Sequence, residues 1–167
     1  FETDMEKIIE AGLKAIPEDC LTYKSVKRAV ELFKEGTNWK KARNQLLQEF
    51  YSPIAQYSPL NLGFQTIGLL YGEDFGDAIC KAVNCGWDTD CTGATVGAIL
   101  GILQGRKNLP QKWTEPLGDE VATNVATGGI RNLEAPTNLS QLTDEVTAVG
   151  RRVLKYWNTE VELSSVS

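Results

Sequence analysis

Histidine is absent from this chain, which removes histidine-based triads, histidine zinc sites and histidine general bases together. Any chemistry must rest on carboxylates, thiols, amines, hydroxyls or a metal held by oxygens. Positive charge is also in deficit, with 17 Lys and Arg against 22 Asp and Glu and a net charge of -5. Phosphate-backbone binding needs clustered cations, so nucleic acid is excluded as a general partner, while a small phosphate-bearing molecule is not. Cysteine is sparse: Cys20, Cys80, Cys85 and Cys91 form no C-x-x-C pair. A chain of 167 residues needs no disulfide staples, so the thiols read as reduced, in a cytoplasmic protein. A zinc site from Cys80, Cys85 and Cys91 would lack a fourth ligand and the usual spacing. Long hydrophobic runs are missing as well. The longest, Gly93 to Leu103, falls short of the ~20 residues a membrane span takes, so no membrane role is expected.

What is present is ordinary for a globular domain: 42% apolar and 23% charged residues, enough for one core. Residues 1–167 read as a single all-α domain. "DMEKIIEAGLKAI" (4–16) spaces Met5, Ile8, Ile9, Leu13 and Ile16 for one helix face before Pro17. Thr22 or Ser25 can cap a second helix that Gly36 closes, and Asn38 a third, "NWKKARNQLLQEF". "YSPIAQYSPL" (51–60) is a loop, and two helices joined at Gly72 cover 61–72 and 74–86. Beyond Gly105 the chain turns irregular through Pro110 and Pro116, and "EVATNVATGGI" is the one plausible β segment. A final amphipathic helix over 139–157 points Leu142, Val146, Val149, Val153, Leu154 and Trp157 inward, and 158–167 is a frayed tail. Tyr57, Asn61, Asn124 and Arg131 are polar enough to line a pocket but read as surface or turn residues.

The stretch "NCGWDTDCTGATVGAILGILQG" (84–105) combines two costs: Asp88 and Asp90 one residue apart, and glycines at 93, 97, 101 and 105. Each glycine costs roughly 1 kcal/mol against Ala in a helix interior. The expected return is a seam against which another backbone lies, with Val96, Ile99, Leu100, Ile102 and Leu103 around the rest. A helix apolar all round belongs at the centre of the domain. At its start, one acid suffices as an N-cap; two point to a hard cation bound by oxygens. An EF-hand fails, because the position that needs a bidentate Glu is Ile99. D-x-D-x-T is also the nucleophile motif of haloacid-dehalogenase-like phosphatases, with Asp88 as nucleophile, and this requires a β-strand just upstream.

"AVNCGWDTDCTGATVGAILG" resembles the C-terminal metal motif of the ADP-ribosylglycohydrolase family, in which an Asn-Gly-Gly stretch precedes Asp-Thr-Asp and a glycine-rich helix. "AGLKAIPEDC" (11–20), "LLYGEDFGDAICKAV" (69–83) and "LPQKWTEPLGD" (109–119) resemble other stretches of the family in the same order, up to about Gly118. The resemblance implies an orthogonal multi-helix bundle around the glycine-rich helix. It also implies a two-magnesium hydrolase that cleaves the glycosidic bond of an ADP-ribosylated protein or a small ADP-ribosyl compound. Asp88 and Asp90 would be catalytic and metal ligands, Thr89 would turn both toward the cavity, and Asn84, Gly86 and Trp87 would line the ribose approach. The family commonly places Thr directly after the second Asp, where this chain has Cys91 followed by Thr92. Either Thr92 substitutes as a ligand, or water does, or Cys91 stands near without coordinating, since a thiol is a poor magnesium ligand. The family's Gly-Asp motif and Thr-Asp-Asp cluster have no counterpart: "GDA" (76–78) falls in a helix and "ETD" (2–4) lacks the second Asp. The expectation is therefore a C-terminal part of such a hydrolase, beginning mid-domain at Phe1. It would hold half of a metal site, be inactive alone, and be prone to self-association through apolar surface the other half would cover. A non-catalytic binding module is the further alternative.

Overall fold

The computed structural model describes residues 2–121 and 135–161. Its chain contacts group into two compact units, Phe1–Trp113 and Thr114–Ser167. The described residues contain helices and a single isolated bridge between Glu120 and Asn138, so the all-α class holds for them. The N-terminal unit contains α1 (Met5–Leu13), α2 (Leu21–Lys34), α3 (Trp39–Glu49), α4 (Ser58–Tyr71), α5 (Phe75–Asn84) and α6 (Thr89–Gln104), followed by the short α7 (Gln111–Thr114). Asn38 caps α3 as expected, and Asp4 and Asp74 likewise each accept from a first-turn amide. α2 starts earlier than expected, so Thr22 and Ser25 lie inside it and neither caps it; Cys20 accepts there through its sulfur.

The centre of this unit is α4, and the glycine-rich α6 lies to one side. α4 packs against α1, α2, α3, α5 and α6, and Leu60, Phe64 and Ile67 are fully buried together with Leu32, Leu46 and Ala29. α6 buries only Thr92 and Val96, while Ile102 is 83% exposed. The close approach predicted for the α6 glycines occurs on α4 instead. A Cβ on Gly72 would stand 2.6 Å from the Ala78 Cα, and one on Gly68 2.8 Å from the Ala78 carbonyl oxygen, so these glycines let α5 lie backbone to backbone on α4. On α6, Gly93 faces the tip of Val83 and Gly97 that of Ile79, and nothing stands within 4 Å of a Cβ at Gly101 or Gly105. The period of four was read correctly as a helix side, but a stripe of small residues does not state which neighbour uses it.

In the C-terminal unit, α8 (Leu139–Tyr156) starts at Asn138, whose side chain accepts from the Gln141 amide at 2.7 Å. The Asp119 carbonyl receives the Leu139 amide at 2.8 Å. The apolar stripe expected to face inward is largely exposed: Val146 61%, Val149 47%, Val153 48% and Trp157 71%. The helical period fixes which side chains share a face. It does not supply the layer that would cover them. The β segment at 122–130 and the tail from 162 onward lie outside the described residues.

Candidate metal centre at the start of α6

Four residues, Cys85, Gly86, Trp87 and Asp88, carry the chain from α5 into α6. Asn84 ends α5. Cys85 is fully buried, and its carbonyl accepts from Arg43 Nε of α3 at 2.9 Å. A cation here meets the unsatisfied carbonyls that end a helix, a favourable site for positive charge. Gly86 adopts φ +88° and Trp87 φ +60°. The glycine takes the left-handed region freely; a tryptophan does so at a cost of roughly 1–2 kcal/mol. Its ring explains how that strain is held. Trp87 Nε1 donates to the Ser52 carbonyl at 2.9 Å. Phe64 and Tyr51 meet the ring edge-on at 6.2 and 6.0 Å, and the Arg43 guanidinium sits 5.8 Å above it.

The consequence falls on Asp88. It occupies the N-cap of α6 with ψ 76°, and its side chain makes no capping hydrogen bond. Every cap of this chain that works through its side chain has ψ between 116° and 178° among the described helices. Displaced from that extended range, the Asp88 carboxylate is released from the capping duty that the sequence alone would assign it. It turns instead toward Asp90 and Cys91: one ligand atom from each of the three lies within 4.8 Å of the others. Asp88 is half-buried, while Asp90 and Cys91 are exposed. The Cys91 thiol is held above its ordinary pKa, first by its hydrogen bond to Asp88 and then by the charges of Asp88 and Asp90, so it stands as a neutral donor beside the carboxylates.

The remaining expected site residues are dispersed. Trp87 is packed against the hydrophobic core formed by α2, α3 and α4 and acts as an anchor of the turn. Asn84 is exposed and lines a shallow cavity of about 520 Å³ with Trp39, Lys40, Arg43 and Asn44. Thr89 opens α6, and its carbonyl accepts from Thr92 Oγ1 at 3.1 Å. Thr92 is fully buried, with its proton committed to that carbonyl. Asn124 and Arg131 lie outside the described residues. Two residues passed over in the sequence matter here. Arg43 has Trp39, Lys40, Leu46 and Leu47 as its neighbours one helical turn away, so a cation without a local carboxylate was the available signal. Asn61, read as surface, is 5% exposed and accepts the Asp88 amide through Oδ1 at 3.2 Å; a polar side chain inside the apolar run of α4 was its signal.

The phosphatase reading fails on the same geometry, because the residues upstream of Asp88 form helix α5 and not a strand. The family model described as ADP-ribosylglycohydrolase matches residues 2–152. A 45-residue segment is 44% identical to an ADP-ribosylarginine hydrolase, Tri1, of Serratia proteamaculans (strain 568). That match covers 27% of this chain and 12% of the relative's length. No solved structure matches. With a metal-competent pair of carboxylates at the helix start and a family match over nearly the whole chain, this protein belongs to the ADP-ribosylglycohydrolase family.

Proposed function

We propose that this chain contributes the Asp88–Asp90 half of a magnesium-dependent centre that hydrolyses the glycosidic bond of arginine-linked ADP-ribose. The observation that carries the reading is the release of Asp88 from capping and its convergence with Asp90. The donor set suits a hard cation: two carboxylates offer oxygens, and the neutral Cys91 thiol beside them is a poor ligand for magnesium. Bound there, such ions supply Lewis acidity and a hold on ribose hydroxyls and water. The chain's own groups do the rest. Bond cleavage develops positive charge at the anomeric carbon, which the negative Asp88 and Asp90 stabilise. An Asp90 carboxylate oxygen, exposed to solvent, accepts the proton of the attacking water. The arginine linkage is supported by the name of the relative from Serratia.

Octahedral magnesium needs more oxygens than Asp88 and Asp90 provide, and the Thr-Asp-Asp cluster of the family has no counterpart in this sequence. The test joins this chain to a Thr-Asp-Asp-bearing segment of a family member and follows release of ADP-ribose from ADP-ribosylarginine. Release that needs magnesium and falls at least a hundredfold in Asp90→Asn is the expected result. Release that survives Asp90→Asn or a chelator overturns the proposal.

A further inference from the structure

Asn61 ties two loops together. It lies in the first turn of α4, and its Nδ2 donates to the Ala55 carbonyl at 2.7 Å and to the Tyr57 carbonyl at 3.2 Å. Two carbonyl partners settle which end of the amide is the amino group. The oxygen is therefore the end that faces Asp88, where it accepts the backbone amide at 3.2 Å. All of this happens at a side chain 5% exposed, where an unpaired polar group is costly and a paired one is rigid.

The position of this bond is its significance. The two dihedrals that set the Asp88 carboxylate apart from an ordinary cap are the left-handed φ of Trp87 and the ψ of Asp88 itself. Trp87 is held by its ring, through Ser52, Phe64 and Arg43. The Asp88 amide, between those two dihedrals, is held by Asn61. Without that acceptor the peptide joining Trp87 to Asp88 is free to rotate toward the extended cap geometry that Asp4, Asn38 and Asp74 adopt elsewhere. The carboxylate would then fold back onto the first-turn amides of α6. We infer that Asn61 is a positioning residue for the metal centre: its side-chain oxygen keeps Asp88 out of capping geometry and so presents the carboxylate to an ion. This inference rests on the metal reading given above.

The test uses the 167-residue chain joined to the Thr-Asp-Asp-bearing segment described above, with Mn²⁺ as the probe and two readouts. Manganese affinity is measured by electron paramagnetic resonance, and exchange of the Asp88 amide by hydrogen–deuterium exchange NMR. Asn61→Ala is expected to speed exchange at Asp88 at least tenfold relative to the rest of α6. It is also expected to weaken Mn²⁺ binding ten- to a hundredfold, the usual effect of losing a group that orients a ligand. Thr66→Val is the control for buried polar loss on α4, because Thr66 donates only within its own helix, to Leu62; it should alter neither readout. A folded Asn61→Ala protein that binds Mn²⁺ within twofold of the unsubstituted chain overturns the inference. Should that variant fail to fold, the unsubstituted chain decides: an Asp88 amide exchanging at the rate of a free amide overturns it, and a protected one supports it. If the unsubstituted chain protects Asp88 yet binds no Mn²⁺ at millimolar concentration, the metal reading falls and any role of Asn61 toward an ion falls with it. Affinity retained in Asn61→Ala removes Asn61 alone.

Discussion

Cys85 and Arg43 show how much a single position in this turn carries. The Cys85 thiol is fully buried, and burial pushes its pKa up from 9.0 to about 12, with the Arg43 charge opposing the rise. A group held neutral in the folded state and free to ionise when unfolded makes the unfolded chain shed protons first. Stability is therefore intact below pH 9 and declines as pH rises from there toward 12. Chemical denaturation at pH 7.5 and pH 10.5 is expected to show a loss at the higher pH that Cys85→Ala reduces. An equal loss in both proteins would refute the assignment. Tyr71, also raised by burial to about 12, adds to the same alkaline decline and leaves a remainder in the variant. At this scale the sequence was partly legible. The paired carboxylates of Asp88 and Asp90 announced themselves by their spacing. Arg43 and Asn61 did not, because their partners are the Cys85 carbonyl and the Asp88 amide, 42 and 27 residues away, and sequence separation hides such backbone partners.

Among the helices, the informative comparison is between α4 and α6. Both carry glycines, yet a backbone contact is made only at Gly68 of α4 and at its C-cap, Gly72, while Gly63 faces the Ser25 and Leu46 side chains. Gly68→Ala places a methyl against the Ala78 carbonyl and the Ala82 side chain, and overpacking of this kind costs roughly 1–3 kcal/mol. Gly101→Ala meets nothing within 4 Å and should stabilise by roughly 0.5–1 kcal/mol through helix propensity. Thermal melts of the two variants are expected to move in opposite directions. A drop in both would mean that α6 has a close neighbour at Gly101. Helix existence and start points were readable from capping side chains and apolar period. The choice of α4 as the central helix was not, since "SPLNLGFQTIGLLY" and "TDCTGATVGAILGILQ" are alike in apolar content and only packing distinguishes them.

For the molecule as a whole, the exposed stripe of α8 is the feature with consequences in solution. Leu142, Val146, Val149 and Val153 recur at helical spacing, and all are more than a third exposed. A continuous apolar face of this kind favours association. Sedimentation at about 100 µM is expected to give a mass above the 18.4 kDa of one chain, and Val149→Lys, which places a charge at the centre of the stripe, should restore the monomer. A monomer without any substitution would show that the stripe does not support self-association. No described helix is long and apolar enough to cross a membrane, so the exposed stripe is not a spanning segment.

The linear chain alone settles the all-α class, because capping residues, glycine stops and a period near 3.6 are local signals that need no partner. It also determined the carboxylate pair, because two acids at the start of one helix exceed what capping requires. Tertiary structure decided which helix is central and how the Asp88 carboxylate is placed. Asp88 stands outside cap geometry next to a Trp87 in a left-handed conformation that Ser52, Phe64 and Arg43 contact, and its amide donates to Asn61. Those contacts come from α3, α4 and the loop between them, and the chain brings them together only when it folds.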